Sequence, residues 1–235
     1  MQRYFAKDKI DNFIILEDSD LHHIKNVMRM NVNDKIECVY DGKLYICGVS
    51  FDNRFEILEE VQQENINSRN VTVCVGLVKE QKMDLILQKL TELGVNRIVP
   101  VMMERSIVKL DKERFKKKKV RWQTICKEAS EQSKRLDIPE ITDLMSLKEL
   151  NSINGDLKLV CSVREKENFI NKCLQENNNC ATIVFVIGPE GGISDREEDV
   201  LNSYGYKSIS LGNLVLRVET ACIYVASIIQ YCSMG

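Results

Sequence analysis

No two of the nine cysteines stand in a C-x-x-C pair, which removes the short zinc and redox signatures. The set is odd in number and scattered (Cys38, Cys47, Cys74, Cys126, Cys161, Cys173, Cys180, Cys222 and Cys232), so it offers no disulfide framework either. Reduced, mostly buried thiols and no metal are expected. No apolar run approaches the roughly 18 residues that a membrane span needs. Residues 1–10 lack the apolar stretch of a signal peptide. A cytoplasmic protein without a membrane partner is the expectation. Of 235 residues, 44% are hydrophobic and 29% charged, enough for a sizeable core in one or two globular domains.

The formal net charge of −2 is unevenly distributed. Residues 71–140 carry 16 Lys and Arg against 10 Asp and Glu, whereas residues 1–70 carry 9 against 13 and residues 141–235 carry 8 against 12. Within the basic middle, residues 109–121 (KLDKERFKKKKVR) hold eight cations and two anions. Such a patch on an otherwise acidic chain suits a polyanionic partner, the alternative being a solvated helix start.

The hydrophobic pattern divides the chain near residue 70. Before it, residues 13–16, 35–40, 43–49 and 54–60 read as short strands, and residues 20–30 as a helix with Leu21, Ile24, Val27 and Met28 on one face. Asp41-Gly42 between two strands is a two-residue hairpin signal, since both turn positions need positive φ. A small barrel or curled sheet is the simplest packing. Residues 62–70 lack a pattern and read as a linker. After it, strands at 71–78, 97–102, 157–163, 182–187 and 207–211 alternate with helices, which implies a parallel sheet covered on both faces. Met83, Ile86, Leu87, Leu90 and Leu93 form an apolar helix face that stops at Gly94, and residues 114–135 suffice for a second helix. The last helix, 217–232, is apolar nearly all round and needs cover from its own sheet and, on a further side, from another subunit.

A glycine-rich turn, Ile187-Gly188-Pro189-Glu190-Gly191-Gly192-Ile193-Ser194, follows the strand at 182–187. Ser194 and Glu197 form a capping box that opens a helix. The usual ligand of such a turn is a phosphate held by free N–H groups. Here no lysine follows the glycines and Glu190 sits among them, so a P-loop is excluded. A dinucleotide fingerprint belongs after the first strand of its unit, and that strand runs into Gly76-Leu77-Val78-Lys79. An adenosine-bearing ligand without phosphates, preferably cationic, fits better. The alternative is a plain tight turn ahead of a capped helix.

Five blocks in order resemble the RsmE family of 16S ribosomal RNA (uracil-N3) methyltransferases within the SPOUT superfamily. They are Arg3-Tyr4-Phe5; the stretch from His22 to Met30 (HHIKNVMRM); Lys89 to Val95 (KLTELGV) with Pro100 and Glu104-Arg105-Ser106; Glu128 to Ser133 (EASEQS) with Arg135 and Pro139; and the glycine turn together with Leu211-Gly212 and Arg217-Val218-Glu219-Thr220-Ala221. The resemblance covers essentially the whole chain. It implies an α/β fold: a PUA-like β-barrel RNA-binding domain over residues 1–70, then a SPOUT methyltransferase domain over 71–235 whose C-terminal part is tied in a deep trefoil knot. It also implies a homodimer that uses S-adenosylmethionine to methylate N3 of one uridine in 16S rRNA of the small ribosomal subunit. A non-catalytic RNA-binding or ribosome-assembly factor of the same fold is the alternative, disfavoured because both loops are intact.

Site roles follow from the same resemblance. Ile187, Gly188, Gly191 and Gly192 of the first loop, with Leu211, Gly212 and Leu216 of the second, are implied to wrap the cofactor; Glu190 either holds the loop or meets a ligand hydroxyl. The N3 proton must leave, and charge developing on the base needs a fixed cation. Arg217 is the candidate, with Glu219 orienting it or assisting proton removal; a structural Arg217–Glu219 ion pair is the alternative. Arg3, Arg29 and Arg105 are candidate RNA contacts, and Lys116, Lys117, Lys118 and Lys119 candidates for steering. His22 and His23 point in different directions on a helix and are read as packing and local hydrogen bonding. Leu214 stands where the family often has arginine, and the acidic N-terminal domain is unusual for an RNA grip.

Overall fold

The computed structural model describes residues 1–32, 34–63 and 69–233. The chain divides into two compact units, one of Met1–Asn65 with Lys127–Ile138, the other of Ile66–Cys126 with Pro139–Gly235. Residues 64–68 of the expected linker lie outside the described residues.

The first unit is built on a six-stranded sheet. Its strands are β1 (Arg3–Phe5), β2 (Asp8–Ile10), β3 (Phe13–Ile15), β4 (Lys35–Tyr40), β5 (Lys43–Gly48) and β6 (Arg54–Val61), in the order β1-β4-β5-β6-β3-β2. The β4–β5 hairpin closes at Tyr40 and Lys43 through Asp41 (φ 49) and Gly42 (φ 72), the turn that the sequence announces. Strands β1 and β2, three residues each, carry no periodic signal and were not expected. The helix expected over 20–30 is instead α1 (Asp18–His22) running into a π-helical turn at His23–Val27. That wider turn carries His23, whose Nδ1 lies 2.9 Å from the Tyr4 hydroxyl.

Charged groups are buried beside this sheet. Lys127 Nζ donates to both carboxylate oxygens of Asp20 at 2.8 Å and lies 3.7 Å from Glu131. Glu131 accepts from the Phe5 amide at 3.3 Å. Burial raises its carboxyl from the ordinary range to about 7; Asp20 adds to the rise and Lys127 opposes it.

The second unit carries a seven-stranded sheet. Its strands are β7 (Asn70–Gly76), β8 (Arg97–Met102), β9 (Glu140–Ile141), β10 (Met145–Ser146), β11 (Leu157–Cys161), β12 (Thr182–Ile187) and β13 (Lys207–Ile209). Their order is β10-β8-β7-β12-β11-β13 with β9 also on β8, and every pairing is parallel. Alternate side chains enter two different cores. Val73, Val75, Ile98, Leu159, Ile183 and Phe185 face one; Cys74, Val99, Val101, Val160, Val184 and Val186 face the other. Continuous apolar runs such as Thr182–Ile187 are therefore buried on both faces, as parallel sheets require.

Helices α2 (Glu80–Glu92), α4 (Ile170–Glu176), α5 (Asp195–Ser203) and α6 (Val218–Ser233) belong to this unit, with a 3₁₀ turn at Leu147–Ser152. Met83, Ile86, Leu87 and Leu90 of α2 are fully buried, and the helix stops at Gly94 (φ 80). The remaining helix, α3 (Lys112–Gln132), buries Phe115, Trp122 and Cys126 in the first of the two cores, the two rings meeting edge to face at 5.7 Å.

Glu131 sets a pH dependence. Between about pH 4.5 and 7 the unfolded chain has released the Glu131 proton while the folded chain retains it, so stability falls as pH rises through this window. Glu131→Gln is expected to flatten that slope and to stabilise the protein at pH 8 by up to about 3 kcal/mol, read from urea unfolding at pH 4.5, 6 and 8. An unchanged slope would refute the burial of a titrating carboxyl here.

Candidate functional site

The C-terminal ends of the central strands open into a cleft of about 670 Å³ within the second unit, a volume suited to a small organic ligand. Its walls come from residues that leave the sheet: Cys161 ends β11, Ile187 ends β12, and Ser210 follows β13. Carboxyl ends of parallel strands are where such folds place ligands.

The first wall is the glycine turn. Ile187, Gly188, Glu190 and Gly192 line the cleft. At Gly188 a Cβ would meet Ile193 Cγ1 at 2.7 Å and the Gly192 carbonyl carbon at 2.9 Å, so the loop folds on itself only without a side chain there. Gly191 is placed differently from the expectation. It is absent from the lining; its carbonyl accepts from Arg105 Nη1 at 3.3 Å, and a Cβ on it would press on Arg105 Cβ at 2.8 Å. The turn hands over to α5 through the expected capping box. The Ser194 amide donates to Glu197 at 3.0 Å and the Glu197 amide to Ser194 Oγ at 3.3 Å. Glu104 extends this network: its amide donates to Glu197 at 2.7 Å, and it accepts from Ser194 Oγ at 2.8 Å.

The second wall is the segment between β13 and α6. Leu211, Gly212 and Leu216 line the cleft, and Gly212 adopts φ 117 with nothing within 4 Å of a Cβ position, so conformation rather than space demands glycine there. Leu214 and Val215 are 80% and 83% exposed at its tip. The expected strand 207–211 stops at Ile209, which frees Leu211 for the wall.

Arg217 lines the cleft, is exposed, and forms no ion pair among the described residues. Glu219 does not line the cleft and does not pair with Arg217: its carboxylate lies 3.8 Å from Lys82 Nζ, on α2. Lys82 also reaches Glu190 at 3.3 Å. Glu190 thus holds the loop to α2. The sequence offered no sign of this, because Lys82 stands far from both partners in the chain and reads as one more helix-face lysine. Residues 162–166, after β11, complete the lining and were likewise not anticipated.

The other candidates are dispersed. Arg105 is exposed on the cleft wall. Arg3, expected at an RNA contact, is 3% exposed: Nε donates to Glu37 at 2.8 Å, Nη2 to Gln63 at 3.1 Å, and Nη1 to the carbonyls of Lys134 and Arg135. Its guanidinium ties the first unit together and has no face left for a phosphate. Arg29 is exposed with φ 51. Lys116 and Lys117 are exposed, whereas Lys118 pairs with Glu80 at 3.1 Å and Lys119 with Asp143 at 2.8 Å.

The donor set has a definite chemistry. The cleft offers backbone groups, aliphatic walls from Ile187, Leu211 and Leu216, and a carboxylate, Glu190, whose two oxygens are buried without a hydrogen-bond partner. Lys82, Arg105, Arg164, Lys166 and Arg217 bring cations to the same cleft, alongside further carboxylates, but the glycine turn itself carries no P-loop lysine, and its aliphatic walls and backbone groups fit a nucleoside-like ligand. Among the described residues no group of three or more His, Cys, Asp and Glu side chains could hold a metal ion, and no helix is long and apolar enough to cross a membrane.

Comparison with known proteins gives the same direction. Residues 65–230 match the RNA methyltransferase domain family, and residues 16–54 the RNA methyltransferase PUA domain family. The ribosomal RNA small subunit methyltransferase E of Bacillus subtilis is 34% identical, over 98% of this chain and 96% of the relative. That of Aquifex aeolicus is 31% identical over 98% and 99%. The crystal structure of the Neisseria gonorrhoeae ribosomal RNA small subunit methyltransferase E bound to S-adenosylmethionine superposes with a TM-score of 0.87 at 30% identity, over 98% of this chain and 97% of that one.

Gly188→Ala is expected to destabilise the second unit by about 1–3 kcal/mol, because the new methyl meets backbone that cannot yield. Thermal unfolding of the variant beside the parent protein measures it, and an unshifted transition would show that the turn can relax.

Proposed function

Because the chain belongs to the ribosomal RNA small subunit methyltransferase E family, we propose that it transfers the methyl group of S-adenosylmethionine to N3 of one uridine in 16S rRNA. The observation that carries this reading is the meeting of the glycine turn and the 211–217 segment on one cleft, with Arg217, which forms no ion pair among the described residues, at its wall.

Bound there, S-adenosylmethionine supplies an electrophilic methyl group and leaves as a neutral sulfide. The protein's part is chiefly positioning, since in-line displacement needs the uracil nitrogen and the methyl carbon held at attack distance. Ile187, Gly188, Gly192, Leu211, Gly212 and Leu216 would hold the cofactor, with leucine side chains against the adenine faces and backbone groups at its edges. The bond from N3 to carbon forms as the sulfur–carbon bond breaks, and the N3 proton departs to solvent or to a base. Arg217, free of carboxylates, suits the negative charge that develops on the base as that proton leaves. Glu219, outside the cleft lining, has a supporting place rather than one at the base. The base must leave any stack to reach the cleft.

The first unit, with its PUA-domain match, is the proposed RNA-gripping module; exposed Arg29 is its candidate contact, and Arg105, Lys116 and Lys117 serve from the second unit. A trefoil knot in the C-terminal part is proposed on the path of the sheet, where β12 lies between β7 and β11 although β11 precedes it. A homodimer is proposed on α6, whose Tyr224 and Tyr231 remain 43% and 76% exposed on a largely apolar helix. A cytoplasmic location follows from an rRNA substrate.

Calorimetry is expected to show binding of S-adenosylmethionine and none of ATP; the reverse pattern would end this assignment. Arg217→Ala should keep cofactor affinity and lose methyl transfer to small-subunit RNA by about 10²–10³-fold, measured by tritium incorporation, and undiminished turnover would remove its role. Reversing the charge of Lys116 and Lys117 together should weaken RNA binding and lower the slope of log affinity against log salt by about 2. An unaltered slope would make them bystanders.

A further inference from the structure

Lys82 stands in the first turn of α2 and faces two carboxylates from two other elements. Its Nζ is 3.3 Å from Glu190, in the glycine turn, and 3.8 Å from Glu219, in the first turn of α6. The three side chains are largely withdrawn from water, at 32%, 19% and 16% exposure for Lys82, Glu190 and Glu219. Both oxygens of Glu190 and Oε2 of Glu219 are buried and accept no hydrogen bond. Lys82 and Glu190 line the cleft, whereas Glu219 does not.

Two features separate this cluster from an ordinary surface ion pair. First, within the cluster the charges do not cancel: one ammonium meets two carboxylates, which leaves one negative charge on mostly buried side chains at the wall of a cleft whose other charges, among them Arg105, Arg217 and Glu198, are of both signs. Such a surplus is costly in the isolated protein and becomes favourable when a cation enters the adjoining space. Second, the cluster joins the parts that shape the cleft. Glu190 sits between Gly188 and Gly192 of one wall, and Glu219 lies two residues beyond Arg217 at the end of the other. A lysine holding both carboxylates sets the separation of the two walls, and α2, packed into the core through Met83, Ile86 and Leu87, gives it a rigid base.

Resting on the reading of this cleft as the cofactor site, we propose that Lys82 is a positioning and specificity-determining residue. It pins Glu190 and Glu219, and through them both walls, and it leaves the cluster one negative charge that favours the cationic methyl donor over its neutral demethylated product. Donor and product differ at the reacting sulfur by a methyl group and a positive charge. A pocket with a fixed, poorly screened negative charge binds the first more tightly and lets the second go.

The test uses the full chain and two probes, S-adenosylmethionine and S-adenosylhomocysteine, titrated by calorimetry into the parent protein, Lys82→Met, Lys82→Arg and Glu219→Gln. Lys82→Met should weaken binding of both probes, the product by about tenfold or more and the donor less, because the walls are released while the cluster gains a second uncompensated negative charge. In turnover it should raise the KM for the donor and leave kcat within a few-fold. Lys82→Arg should restore the affinity. Glu219→Gln, which neutralises the cluster, should weaken donor binding by about tenfold and product binding far less, so that their ratio falls. Should Lys82→Met not fold, that ratio in Glu219→Gln decides alone. Parent-like affinities in Lys82→Met, or an unaltered ratio in Glu219→Gln, overturn the proposal while the cofactor assignment stands. A parent protein that binds neither probe overturns the cofactor assignment itself.

Discussion

Parallel pairing of β12 between β7 and β11 is the constraint on which the second unit depends. Six consecutive residues of β12 pair with β7, from Thr182 opposite Asn70 to Ile187 opposite Val75. Four pair with β11 on the other side. A strand held on both edges and buried on both faces cannot slip by one residue without exchanging Ile183 and Phe185 for Val184 and Val186 between two different cores. Its last residue, Ile187, is therefore fixed in space, and so is the point at which the glycine turn begins. Everything the cleft requires, including the close approach at Gly188 and the reach of Glu190 to α2, follows from that fixed departure.

Elements with a strong local signal were legible in the sequence. The strands Lys35–Tyr40, Arg97–Met102 and Thr182–Ile187 occur where the β-branched runs and their bounding turn residues put them, and the Asp41-Gly42 hairpin and the Ser194–Glu197 capping box depend on neighbours two and three residues apart. Strands β1 and β2 are too short for any period to show, and the seven residues of α4 are too few to distinguish a helix from a loop. The segment Lys127–Ile138 folds with the N-terminal strands because Lys127 meets Asp20 and Leu136 packs with Val39 and Leu44, contacts made across a hundred residues or so of chain that leave no local trace. The candidate site divides in the same way. Glycines announce a turn by type alone, but the partner of Glu190 is set by tertiary structure.

The basic residues show the same limit in electrostatic form. A run of eight cations over thirteen positions reads as one polyanion-binding patch. In the fold, Lys118 and Arg121 are drawn to Glu80, Arg121 also to Asp84, and Lys119 to Asp143. These pairs are exposed and each contributes little to stability. They do redirect charge: the part of the helix facing α2 is neutralised, and Lys116 and Lys117, which form no salt bridge among the described residues, remain exposed. Arg3 is a stronger case, since five donors in a planar fork suit a phosphate and suit equally a carboxylate with two backbone carbonyls. Sequence identifies the group, and burial decides which partner it has.

The distribution of charge around the cleft also bears on why the two loops need glycine and not lysine. A phosphate site draws its affinity from N–H groups and a cation, so its loop tolerates water and works at a helix start. A sulfonium ligand without phosphates presents no polyphosphate to hold, and a cation beside its sulfur would oppose it. This turn instead carries Glu190, neutralised in part by Lys82 from a neighbouring helix, and faces the cleft with backbone groups and with Leu211 and Leu216 opposite. Backbone recognition at close range demands small residues where the chain doubles back, as at Gly188, and an unusual φ where it turns away, as at Gly212. Arg217, at the end of the second wall, forms no ion pair among the described residues, so no carboxylate cancels its charge there, whereas Glu190 in the first wall is partly neutralised by Lys82.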